Sequence, residues 1–263
     1  GGFNRSEAAY LGPKYASVVL GDGKPPVNLL RPKGLSEEAD QQRNAVRTKA
    51  DQRFTQRRRS AETEAYVQSF EQAAQLMKQR QLFDISSEPA AIADRYGRHD
   101  FGRHCLLARR LLENGVTFVN VMHSNYDTHY ENFDFHIEQM GEFDRTFATL
   151  LDDLAQRGML ESTLVIVMSE FGRTPKINRN FGRDHWSKAW SIALGGCGIT
   201  GGAVVGKTNA NGTAVTDREV NQTHLWHTYI KALGLNPNKN FYIDARPMPV
   251  ADAKGSPIQE VLA

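Results

Sequence analysis

Cysteine is nearly absent: the 263-residue chain holds two, Cys105 and Cys197. They lie far apart and form no C-x-x-C pair, so they build neither a disulfide framework nor a zinc knuckle. Long apolar runs are also missing, and no stretch approaches the length that crosses a bilayer. The first residues, GGFNRSEAAY, have no initiator Met and no apolar signal-peptide core, so the chain reads as beginning in mid-protein. Neither charge sign dominates. Lys and Arg number 32 against 30 Asp and Glu, a net charge of +2, which gives the whole chain no electrostatic case for nucleic acid or membrane. There is no G-x-S-x-G nucleophile elbow and no Walker A loop, and the glycines between 195 and 202 do not form a dinucleotide fingerprint. What is present is ordinary: 40% hydrophobic and 24% charged residues, enough to bury a core.

Punctuation divides the chain into three parts. Residues 1–35 are rich in Gly and Pro and predict an irregular surface segment with one short strand at Ser17–Leu20. Residues 36–93 predict a helical insertion or lid, its main helices falling near 36–83. Ser36 is placed to cap the first, acids follow it, and a second runs over about 61–81. Arg43, Arg47, Arg53 and Arg57 recur near helical spacing, with Arg58 and Arg59 adjacent. Phe54 is the one aromatic residue among them, too few for a base-stacking series, so a solvated face is the better reading and a polyanion-docking stripe the weaker one. Residues 94–263 predict an α/β core. Pro89 suits the first turn of a short helix, and an amphipathic helix over about 100–113 ends at Asn114-Gly115. A β-branched strand over 116–122 follows it. A long helix over 131–156 is expected to bury Phe135, Ile137, Met140, Phe143, Phe147, Leu150, Leu151 and Leu154. Strand 163–168 comes next, then an apolar run into Gly195-Gly196, a last helix over 221–233 and a Pro- and Asn-rich surface tail. Helix, glycine, buried strand is the rhythm of a parallel α/β sheet. Cys105 recurs with Phe101, Ala108 and Leu112 on one helix face and reads as a buried structural thiol.

Two polar clusters follow apolar runs, where open α/β sheets bind ligands. Asp127-Thr128-His129 is the first; Ser169-Glu170 with Gly182-Arg183-Asp184-His185 is the second. A carboxylate with imidazoles suits Zn²⁺, Mn²⁺ or a similar ion in preference to Ca²⁺ or Mg²⁺. Asp127, His129 and His185 would make one site, and Glu170 could bind the same ion or a second one about 3.5–4 Å away. Each cluster also has a plainer reading. Asp127-Thr128 could cap the long helix, Asp184-His185 could be an ion pair, and Glu170 could pair with Arg173 or Arg183. The two arginines are the candidates for holding an anionic substrate, with structural pairing as the alternative. His99, His104, His123, His136, His224 and His227 lack such a setting.

The strings DFGRHCLLARRLLENGVTFVNV, DTHYENF, LVIVMSEFGRTPKINRNFGRDHW and GGCGITGGAVVGKT, in that order over about 94–235, resemble the uncharacterised DUF1501 family of the sulfatase and alkaline-phosphatase superfamily. The resemblance implies a three-layer αβα fold with a mainly parallel sheet, alkaline-phosphatase-like, with its N-terminal part missing. It implies a metal-dependent hydrolase of phosphate or sulfate esters, with one or two divalent ions and an anionic small-molecule or glycan ester as substrate. One ion falls to Asp127, His129 and His185. The second falls to the position of Glu170, with Asp184 as a further ligand, although Phe171 stands where that family pattern has histidine. The nucleophile comes from a region before this segment, so no catalytic residue is assigned here and the fragment is expected to be inactive by itself. A non-catalytic binding protein on a degenerate hydrolase fold is the alternative. Members of the family are often exported, and a signal segment would lie outside this chain.

Overall fold

The computed structural model describes residues 15–20, 29–57, 61–243 and 245–263. Two compact units are formed. The first comprises Gly1–Ala93 and Leu106–Val119; the second comprises Asp94–Cys105 and Asn120–Ala263.

In the first unit, α1 (Glu37–Arg57) starts where the Ser36 hydroxyl accepts the Ala39 N–H at 3.1 Å, and three acids occupy its first turn against the positive end of the helix dipole. It packs on α2 (Ala61–Lys78). Arg47 pairs with Asp51 at 3.1 Å and lays its guanidinium 4.2 Å over the Phe70 ring, so one member of the arginine stripe serves helix packing. Arg43 and Arg53 stay exposed. Arg58, Arg59 and the Arg57 side chain lie outside the description. Ser17–Leu20 carries no strand, and Val18 and Val19 are exposed. The core of this unit gathers Phe83, Leu107 and Leu111, with Leu76, Leu82 and Val116 among the residues packed around it.

Beside that core, Arg109 is only 1% exposed. Its Nη2 donates to Glu88 at 2.6 Å and its Nη1 to Glu113 at 2.8 Å, while Arg110 binds the other oxygen of Glu88. Burial pulls the Glu88 carboxyl upward, but the two guanidinium groups together outweigh it and hold the group below its ordinary range.

The second unit takes in α3's end and the start of α4. The two helices span Ala90–Tyr96 and Asp100–Glu113. Cys105 is buried, and burial pushes its thiol up to about 12, which suits a structural rather than a reactive cysteine. The long helix α5 (Asn132–Gln156) follows, and α6 (Gln222–Ala232) begins with a capping box between Asn221 and His224. Three helices stop by one device. Gly115, Gly158 and Gly234 have φ of +86°, +67° and +72°, and the N–H of the residue after each reaches back to the carbonyl of Leu111, Leu154 or Ile230. Only glycine adopts that backbone readily, which is why these ends are readable in advance.

The buried face of α5 corrects part of the expectation: Leu154 is buried as expected, and Phe143, Phe147, Leu150 and Leu151 are half-buried. Phe135 and Ile137 are 52% and 75% exposed, and Met140 is exposed too. Asn132, Gln139, Thr146 and Asp153, seven residues apart in succession, face inward instead. Each finds a polar partner. The Thr128 hydroxyl donates to Asn132 Oδ1 (2.7 Å), Gln139 to the Ser124 carbonyl (2.8 Å), Thr146 to the Tyr96 carbonyl (2.7 Å), and the Tyr96 hydroxyl to Asp153 (2.9 Å). The helix packs against chain segments that present backbone carbonyls, so hydrogen bonding overrides apolar periodicity. Thr128 and Ser124 flank Asp127, and α5 thereby pins the segment that carries the site.

Every strand pair among the described residues is antiparallel. β1 (Leu164–Val167) pairs with β4 (Ala193–Gly196), β2 (Gly172–Arg173) with β3 (His185–Trp186), β5 (Lys207–Thr208) with β6 (Val215–Asp217), and β7 (Asn240–Ile243) with β8 (Arg246–Pro249). The expected strand at 116–122 forms no ladder among the described residues, and Phe118 and Met122 are 78% and 76% exposed. A β-branched run becomes a strand only where a neighbour supplies the ladder. The tail is more ordered than its composition suggests: after the β7–β8 hairpin it docks on α6, where Trp226 donates to the Val250 carbonyl (2.6 Å) and Ile258 N–H to the Thr228 hydroxyl (2.9 Å). No helix among the described residues is long and apolar enough to cross a membrane.

Candidate metal centre

Two short chain segments make the site. The first, 123–131, leads into α5. Asp127-Thr128-His129 does not cap that helix, because Glu131 stands at the N-cap with φ +44° and makes no side-chain cap bond. The second is the β2–β3 ribbon, whose register places Arg173 opposite His185. The loop between them is folded around Asn178. Its Oδ1 accepts the N–H groups of Asn180 (2.9 Å) and Gly182 (3.0 Å), and its Nδ2 donates to the His129 carbonyl (3.1 Å) and to Asp184 (3.2 Å). Arg183 reinforces this loop. Its guanidinium donates to the carbonyls of Thr174 (2.6 Å) and Pro175 (2.7 Å), and its backbone N–H donates to the Thr128 carbonyl (3.0 Å).

The loop meets the first segment at Gly182. A Cβ there would stand 1.9 Å from the His129 carbonyl oxygen and 2.0 Å from its carbon. Gly182→Ala must therefore part the two segments that carry His129 and His185. The expected result is loss of the site together with a lower melting temperature, checked by metal titration and thermal unfolding; an unchanged titration would refute this account of the junction.

Ligand atoms of Asp127, His129 and His185 lie within 4.8 Å of one another. The Asp127 Oδ1 is 2.8 Å from His185 Nε2 and 3.0 Å from His129 Nε2. On the far side of its ring, His129 Nδ1 lies 2.8 Å from Asp184. With the proton on Nδ1 and shared with Asp184, Nε2 carries its lone pair toward Asp127, the arrangement in which an outer carboxylate orients a ligating imidazole. Asp184 thus stands behind His129 and does not converge with the three. Glu170 stays outside the group, and the Phe171 ring packs against His185 at a centroid distance of 4.4 Å.

Arg173 enters where a substrate-binding or structural role was open. Its Nη2 donates to the same Asp127 Oδ1 at 2.6 Å, and its Nη1 to the Arg183 carbonyl at 3.2 Å. Hydrogen bonds from His185 and Arg173 hold the Asp127 carboxyl down to about 2, and those from His129 and Asn178 lower Asp184. Both carboxylates therefore remain ionised well below neutral pH. The donor set fits a divalent transition ion: one carboxylate oxygen, two imidazole nitrogens, one buttressed ring and partial exposure on the solvent side.

Most of the other histidines have local partners, whereas His104 Nε2 is buried without a hydrogen-bond partner. His136 bonds the Asn132 carbonyl, His227 the Asp252 carbonyl, and His123 sits between Tyr126 and Glu142. Sequence reasoning missed Asn178 as the organiser of the loop and Asp184 as the partner of His129. The alternation of Asn, Arg and Gly in Ile177-Asn178-Arg179-Asn180-Phe181-Gly182 was the available signal for the first.

The geometry thus defines a class: a chain with a three-ligand Asp-His-His candidate metal centre between a helix-entry segment and a two-stranded ribbon. The chain belongs to the DUF1501 family, described as a protein of unknown function, whose model matches residues 1–262. No curated protein and no solved structure matches it.

Proposed function

We propose that Asp127, His129 and His185 bind one divalent ion, zinc or manganese in preference to calcium or magnesium, and that this centre serves a hydrolase of phosphate or sulfate esters. The observation that carries the reading is the convergence of the three ligand atoms within 4.8 Å, with Asp184 behind His129. A bound divalent ion supplies Lewis acidity toward a phosphoryl or sulfuryl oxygen. The chain's own residues orient the imidazoles and keep Asp127 ionised, and Arg173 offers a guanidinium to an anionic ester. No nucleophile is assigned among these residues. The fold proposed with this reading is the three-layer αβα arrangement with a mainly parallel sheet.

Phe171 against His185 favours a second reading, a non-catalytic binding protein on a hydrolase-like fold. Elemental analysis after incubation with zinc or manganese and removal of free ion distinguishes the two when paired with assays on aryl phosphates and aryl sulfates. About one ion per chain with turnover that scales with metal content supports the hydrolase. The same stoichiometry with no turnover, also in a protein that includes the expected nucleophile-bearing region, supports the binding protein. Absence of bound ion sinks the metal centre and the hydrolase reading with it.

A further inference from the structure

Resting on the metal reading above, we propose that Arg173 is an exchangeable counter-ion, which couples divalent-metal binding at Asp127 to binding of a tetrahedral oxyanion. The geometry sets up a competition. Asp127 Oδ1 faces both histidines, so it is the oxygen that would complete the metal site, and it is also the oxygen that Arg173 Nη2 holds at 2.6 Å. An ion cannot take that oxygen without displacing the guanidinium nitrogen or meeting its charge at close range. The displaced head does not leave. Its Nη1 remains tied to the Arg183 carbonyl at 3.2 Å, and that carbonyl belongs to the loop that Asn178 and the Arg183 side chain hold rigid.

The charge balance points the same way. With neutral imidazoles, Asp127 and Asp184 offset Arg173 and Arg183, so a dication leaves the site with a surplus of positive charge. A guanidinium released from its carboxylate matches an oxyanion in a bidentate fork, beside an ion that attracts the same ligand. Metal and oxyanion should therefore each raise the affinity of the other, by the same factor.

The test is zinc affinity measured by chelator competition, with and without sulfate at constant ionic strength, on the whole chain and on Arg173→Met. Sulfate should tighten zinc binding roughly five- to tenfold in the native chain. Arg173→Met should bind zinc about tenfold more tightly without sulfate, because the competing cation is gone, and should lose the sulfate effect. Arg173→Gln, which keeps a hydrogen-bond donor without the charge, should behave like the Met variant. That second variant guards against a packing artefact, and melting curves confirm that both are folded. Equal or weaker zinc binding in both variants, or sulfate coupling that survives in them, overturns the counter-ion proposal while leaving the metal site standing. Failure of the native chain and both variants to bind zinc overturns the metal reading itself, and this proposal with it.

Discussion

His185→Ala should abolish stoichiometric zinc binding, whereas Asp184→Ala should weaken it by roughly 10–100-fold without abolishing it. The two residues are neighbours in sequence and both contact the cluster, yet the structure gives them different work. His185 presents Nε2 to Asp127 at 2.8 Å, so its loss leaves a carboxylate and one imidazole, which is half a site. Asp184 touches only the outer nitrogen of His129, also at 2.8 Å, so its loss frees the ring to change tautomer and orientation while every inner ligand remains. Chelator competition at neutral pH reads both effects. Equal losses would mean that Asp184 reaches the ion directly; no loss in either would remove the centre from consideration. Acid should also release the metal, and the sign can be stated. Asp127 is held down to about 2, so its carboxylate stays available over the whole ordinary range. Loss of the ion at mildly acid pH, read by chelator competition, therefore does not arise from Asp127.

The second large effect lies far from the candidate site. Glu88→Ala should destabilise the chain by roughly 3–5 kcal/mol, measured by denaturant unfolding, because it takes a carboxylate partner from a buried cation. Arg109 is 1% exposed and directs Nη2 to Glu88 at 2.6 Å, and Arg110 takes the other carboxylate oxygen. Glu113 still holds Nη1 of Arg109 at 2.8 Å, but that carboxylate is more exposed and cannot offset the loss. Glu88→Gln, which keeps an acceptor of similar shape, should cost less. The pH dependence follows from the lowered carboxyl of Glu88. A depressed folded value means the contribution is complete above the unfolded value, about 4.3, and is lost as pH falls from there through the folded one. Acid unfolding of the native chain should accordingly begin below about pH 4, and Glu88→Ala should lose this part of the acid sensitivity. A destabilisation below about 1 kcal/mol would show that the pair behaves as an exposed ion pair.

Much of the helical architecture was legible because its signals are local. Ser36 before acids, Asn221 before α6, and glycine after the last turn each act within a few residues, so the bounds of α1, α4, α5 and α6 follow from chemistry that needs no distant partner. Strands were read less well. Leu164–Val167 forms a ladder because Ala193–Gly196 lies beside it, whereas the equally β-branched run at 116–122 has no neighbour among the described residues. The inward face of α5 is legible only in part, Leu154 being buried while Phe135 and Ile137 are not: periodicity counts apolar residues, but Tyr96, Ser124 and Thr128 decide which face has partners.

In the site, residue types alone singled out Asp127, His129 and His185, because a carboxylate and two imidazoles are uncommon company and their chemistry is intrinsic. Tertiary structure alone decided the remaining roles. It set Asp184 behind His129, left Glu170 outside the group, placed Phe171 against His185, and put Arg173 on the oxygen a metal would take. Asp184 and Arg173 meet partners more than forty residues away, across gaps that the tertiary structure sets. Such gaps are fixed by the Gly182 contact and the Asn178 loop, which no pattern along the chain can measure.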